Sequence, residues 1–144
     1  MKSRFYIAAS GDEQPIRLLH NDLKLLAGRV REQPFNPITD KKEQKTKWGW
    51  SSAYQKCTGL YPEDELADFL SQNPEVISVL TAHRPMIDEV TAVIAIELNA
   101  EDGLRGCPVS SELICLLASI NASLDIDINH DLESTHPCPF CAIE

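Results

Sequence analysis

The amino-acid sequence predicts an α+β fold, a single-layer and mostly antiparallel sheet with helices on one face. Three observations lead there. Segments of period two, rich in aromatic and β-branched residues, are interleaved with segments of helical period over residues 1–130. The first six elements run β-α-β-β-α-β, the split βαβ or ferredoxin-like order, and one further α-β pair follows. A chain of 144 residues with 43% hydrophobic and 24% charged side chains suits a single domain with its own core.

Each element has a local reason. "RFYIAAS" has the composition of a strand, and "GDE" ends it. Pro15 then opens a helix in which Ile16, Leu19, Leu23 and Leu26 recur at helical spacing, with Gly28 as its stop. "RVREQPF" forms a second strand broken by Pro34, and residues 36–47 form a polar, basic loop without periodicity. "KWGWSS" is a third strand, whose alternation puts Trp48 and Trp50 on one sheet face.

Two linked helices follow. Pro62 opens the first, with Glu63, Asp64 and Glu65 in the turn where carboxylates favour the positive end of the helix dipole. Its apolar stripe is Leu66, Phe69 and Leu70; Asn73 and Pro74 restart the chain, Val76, Ile77 and Leu80 are buried, and Pro85 closes the element. "VTAVIAIEL" is apolar on both alternation faces, as a central strand would be. Ser110 caps a helix presenting Leu113, Leu116, Leu117 and Ile120 on one side, with Cys115 as a small core residue. "SLDIDIN" alternates, Leu124, Ile126 and Ile128 inward against Asp125, Asp127 and Asn129 outward. Residues 131–144 are a polar, cysteine-containing tail.

The charge is uneven. Residues 1–50 hold ten basic and six acidic side chains, whereas residues 51–144 hold three basic against sixteen acidic, for a net charge of −9. This balance argues against general nucleic-acid binding, which needs a basic footprint, and favours solubility or a basic protein partner. No apolar run is long enough to span a bilayer, and the opening "MKSRFYIAAS" lacks a secretory apolar stretch, so a cytoplasmic location is expected. Five cysteines without an export signal read as free thiols.

Few residues announce chemistry. His130, His136, Cys138 and Cys141 combine imidazole nitrogen with thiolate sulfur, the donors of a tetrahedral zinc site. Their spacing is not that of a standard finger, and an ordinary tail is the competing reading. A redox role for the same cysteine pair would need a helix beyond Cys141, where three residues remain. Asp125, Asp127 and Asn129 share one strand face and offer oxygen donors to a hard cation, or a polar outer surface. Trp48 and Trp50 either pack against a helix or stack on a small-molecule ligand. His20 and His83 have no adjacent nucleophile, and no phosphate loop or nucleophile elbow is present, so no catalytic residue is assigned.

The stretch "VSSELICLLASINASLDIDIN", with the "FYIAASGDE" opening, the leucine-rich helix and the central tryptophan strand, resembles the bacterial domain-of-unknown-function family 4279 over residues 4–129. Asn129 and the cysteine tail depart from that family's pattern, so the resemblance implies nothing about the tail. It implies no catalytic residues. Small acidic proteins of this kind resemble immunity proteins that inhibit a toxin. The expected function is therefore non-enzymatic binding, with Glu63, Asp64, Glu65 and Asp68 meeting a basic partner. The alternatives are a zinc protein built on the tail and a small-molecule sensor on the face bearing Trp48 and Trp50.

Overall fold

A computed structural model describes residues 1–33, 46–99, 102 and 106–130. Among these residues the chain runs β1 (Lys2–Gly11), α1 (Glu13–Asp22), β2 (Arg29–Gln33), β3 (Lys47–Ser51), β4 (Gln55–Lys56), α2 (Pro62–Gln72), α3 (Pro74–His83), β5 (Glu89–Leu98), α4 (Ser111–Ser119) and β6 (Ser123–His130). Short 3-10 turns at Lys24–Leu26 and Arg84–Met86 extend α1 and α3. Most of the loop expected at residues 36–47, and the whole tail after His130, lie outside the described residues.

The sheet order is β2-β3-β1-β5-β6, with β4 also paired to β1. β3 lies between β1 and β2 and is antiparallel to both; β1 lies between β3 and β5 and is antiparallel to both. These are two interleaved split βαβ units, the expected α+β arrangement. β6 is the appended strand, parallel to β5, and the parallel pairing requires the α4 crossover.

Alternation sets the two faces of the sheet. Phe5, Ile7 and Ala9 of β1 and Val90, Ala92, Ile94 and Ile96 of β5 point into the core. Ile16, Leu19, Leu66, Leu70, Val76, Leu80, Leu113 and Leu117 meet them from the helices, and α1–α4 touch one another as one layer. Burying such side chains stabilises by about 2 kcal/mol each. Pro62 and Pro74 stand at the starts of α2 and α3, and the Ser110 hydroxyl accepts from the Leu113 amide at 3.2 Å, as their sequence signals require.

Three local expectations are corrected. α1 ends at Asp22, and the left-handed residue that stops the following 3-10 turn is Ala27, with φ 48°, not Gly28. Gly28 is glycine for a steric reason: a Cβ there would overlap Trp50 Nε1 and stand 2.6 Å from Trp50 Cε2 and 2.9 Å from the Ser51 carbonyl oxygen. Cys115 is exposed on the outer side of α4, because the buried stripe runs through Leu113, Leu117 and Ile120. β6 is an edge strand, so Leu124 and Ile126 are only half-buried and Ile128 is exposed.

Candidate functional site on the open sheet face

The face of the sheet turned away from the helices carries the other half of each alternation. On β1 these residues are Arg4, Tyr6, Ala8 and Ser10. The register aligns Ala8 with Ser51 and Thr91, Tyr6 with Val93 and Asp125, and Arg4 with Ala95 and Asp127. Ala8, Gly49, Ser51 and Ala95 are small, and they form the floor of a groove of about 390 Å³. Arg4, Tyr6 and Tyr54 rise beside that floor, Arg31 and Gln33 stand at the β2 side, and Asp127 at the β6 side. This volume falls at the lower end of small-molecule sites.

Tyr54 reaches the groove because the β3–β4 strand breaks at Ser52–Tyr54. The Ile7 amide donates to Ser52 Oγ at 2.9 Å while the Ser52 amide donates to the Ile7 carbonyl at 2.8 Å. The Ala53 amide turns away to the Leu26 carbonyl at 2.9 Å, and pairing with β1 resumes at Gln55. Tyr54 then packs edge-on to Tyr6, with ring centroids 5.0 Å apart, and the Arg4 guanidinium lies 4.2 Å above the Tyr54 ring. The cation–π contact leaves the planar fork of Arg4 available for hydrogen bonds. Neither Arg4 nor Arg31 forms an ion pair among the described residues.

Burial raises the Tyr6 phenol above its ordinary value of 10.0, and Tyr54, Asp125 and Asp127 push it further against the opposing effect of Arg4. Tyr6 therefore stays a neutral hydroxyl and can donate or accept. Burial also raises the Cys57 thiol, leaving it a poor nucleophile.

The residues singled out from the sequence are dispersed. Trp48 and Trp50 share a face, and it is the helix-covered one, so of the two readings Trp50 takes packing against the helices and not ligand stacking: its side chain is 2% exposed, inside the core. Trp48 is half-buried beneath the Arg17 guanidinium of α1, 4.9 Å from its ring. Glu63 is 1% exposed and cannot present its carboxylate to a partner, because the α2 stripe turns it inward with Leu66 and Ala67. Glu65 instead ties down the preceding loop, accepting from the Thr58 amide at 2.9 Å, the Thr58 hydroxyl at 3.1 Å and the Gly59 amide at 3.1 Å. Only Asp64 and Asp68 of that run face solvent.

Asp125 and Asp127 are exposed on the open face as their alternation predicts. His83 Nε2 lies 2.6 Å from Asp22 Oδ2, joining α3 to α1 on the helix side. His130 ends β6, while His136, Cys138 and Cys141 lie outside the described residues. Among the described residues no group of three or more histidine, cysteine, aspartate or glutamate side chains is placed to hold a metal ion, and no helix is long and apolar enough to cross a membrane.

Glu65 makes one prediction. Burial opposes its ionisation, but the three hydrogen bonds outweigh burial and hold the carboxyl below its ordinary 4.5. A depressed folded value contributes stability that is fully present above 4.5 and is lost as pH falls through the lower folded value. Urea unfolding of wild type and Glu65→Gln should therefore differ most at neutral pH, and the difference should shrink on acidification. A constant difference would mean that the charge has no part in holding the loop.

A scan of protein-family models, a search of curated proteins and a search of solved structures each return no match to this chain.

Proposed function

We propose that this chain is a non-enzymatic binding protein that takes a small anionic ligand on the open face of its sheet. The observation that supports this best is the placement of Arg4 and Arg31, two arginines outside any ion pair among the described residues, on one groove with a small-residue floor and two tyrosines. Guanidinium forks match carboxylate or phosphate oxygens, and tyrosine rings bury a planar body at little entropic cost. These groups hold and orient a ligand.

This differs from docking of a basic protein on α2, the function suggested by the acidic run. Glu63 and Glu65 are turned to internal tasks, leaving Asp64 and Asp68 as exposed carboxylates of that set. It also moves the sensor reading from the tryptophan face to the tyrosine face.

The test is a titration with para-methylbenzoate followed by amide resonances. Those of Ala8, Ser51 and Ala95 on the groove floor should shift, and Arg4→Gln with Arg31→Gln should weaken binding by about tenfold or more. Unmoved floor resonances, or equal affinity for the double variant, would rule the groove out as an anion site.

A further inference from the structure

We infer that the groove's ligand is zwitterionic, with an anionic group at one end and an ammonium or amino group at the other; this rests on the groove being the binding site. The reason is the distribution of charge across the strand order. Arg31 stands on β2 and Arg4 on β1, whereas Asp125 and Asp127 stand together on β6, all on the same face. Arg4 and Asp127 occupy one register row with only Ala95 between them, so their backbone positions are about 10 Å apart.

At that separation an arginine can bend across to an aspartate. Arg4 does not, because it is drawn to the opposite side of β1 by the Tyr54 ring. The two charges are held apart across a floor made low by Ala95. Asp127 lines the groove on its β6 side, Asp125 lies in the row of Tyr6 beyond Val93, and both aspartates act electrostatically on the Tyr6 phenol, so the β6 side of the groove is carboxylate-rich and faces a tyrosine ring. Carboxylates with an aromatic ring form a receptor for an ammonium group. A purely anionic ligand reaching that end would meet like charge instead.

Three matched probes separate the contributions: para-methylbenzoate carries the anion alone, para-methylbenzylamine the cation alone, and para-aminomethylbenzoate both, on opposite sides of the ring. The zwitterion should bind about fivefold more tightly than either singly charged probe. Asp125→Asn with Asp127→Asn, at two exposed positions, should abolish its advantage over para-methylbenzoate. Equal affinity for the zwitterion and para-methylbenzoate, a preference that persists in the double aspartate variant, or a cation that binds as tightly as the zwitterion would each overturn the inference. In the first two cases the anion groove stands without it. Failure of all three probes to shift the floor resonances would remove the groove reading and this inference together.

Discussion

Gly28→Ala is expected to destabilise the protein by about 3 kcal/mol, the cost of forcing a methyl group into an occupied core site. The added carbon would overlap the Trp50 indole and crowd the Ser51 carbonyl, and neither can retreat. Trp50 is 2% exposed among helix and sheet side chains, and Ser51 is held in the ladder opposite Ala8 and Arg29. Gly49 supplies the contrast. A Cβ there would stand 2.9 Å from Gln33 Nε2, but that atom ends a flexible, exposed side chain that can swing aside. Gly49→Ala should therefore change stability by about 1 kcal/mol or less, since alanine also suits a strand better than glycine.

The neighbouring position should respond in the opposite direction. Ala27 holds φ 48° with a side chain that disfavours it, so Ala27→Gly should stabilise by about 1 kcal/mol. Trp50→Phe loses packing alone, but in its background the penalty of Gly28→Ala should fall by at least half, because the overlapping indole nitrogen is gone. Urea denaturation of the four-member cycle measures this. Additive effects would show that the close approach of Gly28 to Trp50 does not set the cost.

Ser52→Ala is expected to cost about 2 kcal/mol and to weaken anion binding in the groove as well. Its hydroxyl accepts from the Ile7 amide at the point where the β3–β4 strand leaves the ladder, and Ile7 is 1% exposed. Removing that oxygen leaves a donor inside the protein without its acceptor, which costs the desolvation of the amide. The same break directs Tyr54 over β1, where it packs on Tyr6 and holds Arg4. Loss of the anchor should loosen all three groove residues. Ser52→Thr keeps the hydroxyl and should preserve both properties. Denaturation and para-methylbenzoate titration of the two variants provide the check: alanine matching threonine in stability would show that the amide has found another acceptor.

Most of the fold was legible because its signals are local. Prolines at the starts of α2 and α3, the Ser110 cap, the aromatic and branched composition of β1, the apolar run of β5 and the alternation of β3 and β6 each announce an element. β4 was not legible: two residues that resume pairing after a break have no periodicity of their own. Cys115 was misread because an apolar run does not say which side of a helix is covered. The site was half legible. The alternation that sends Phe5, Ile7 and Ala9 inward also sends Arg4, Tyr6 and Ala8 outward, so the β1 contribution could have been found. Arg31, Tyr54 and Asp127 belong to other segments, and nothing near them in the chain points to a common groove.

By itself the sequence determined which of the longer segments become strands or helices and which side chains share a strand face, since both follow from periods of two and 3.6 residues written along the chain. Only the tertiary structure decided which face the helices cover and which strands lie side by side. Covering the tryptophan face buried Trp50 and left the tyrosine face open among the described residues. The order β2-β3-β1-β5-β6 then brought arginines and aspartates from distant segments onto one surface. The physical reason is that strand order and register depend on contacts between segments far apart in the chain, chosen by what the whole core can bury, and no short window of residues contains that choice.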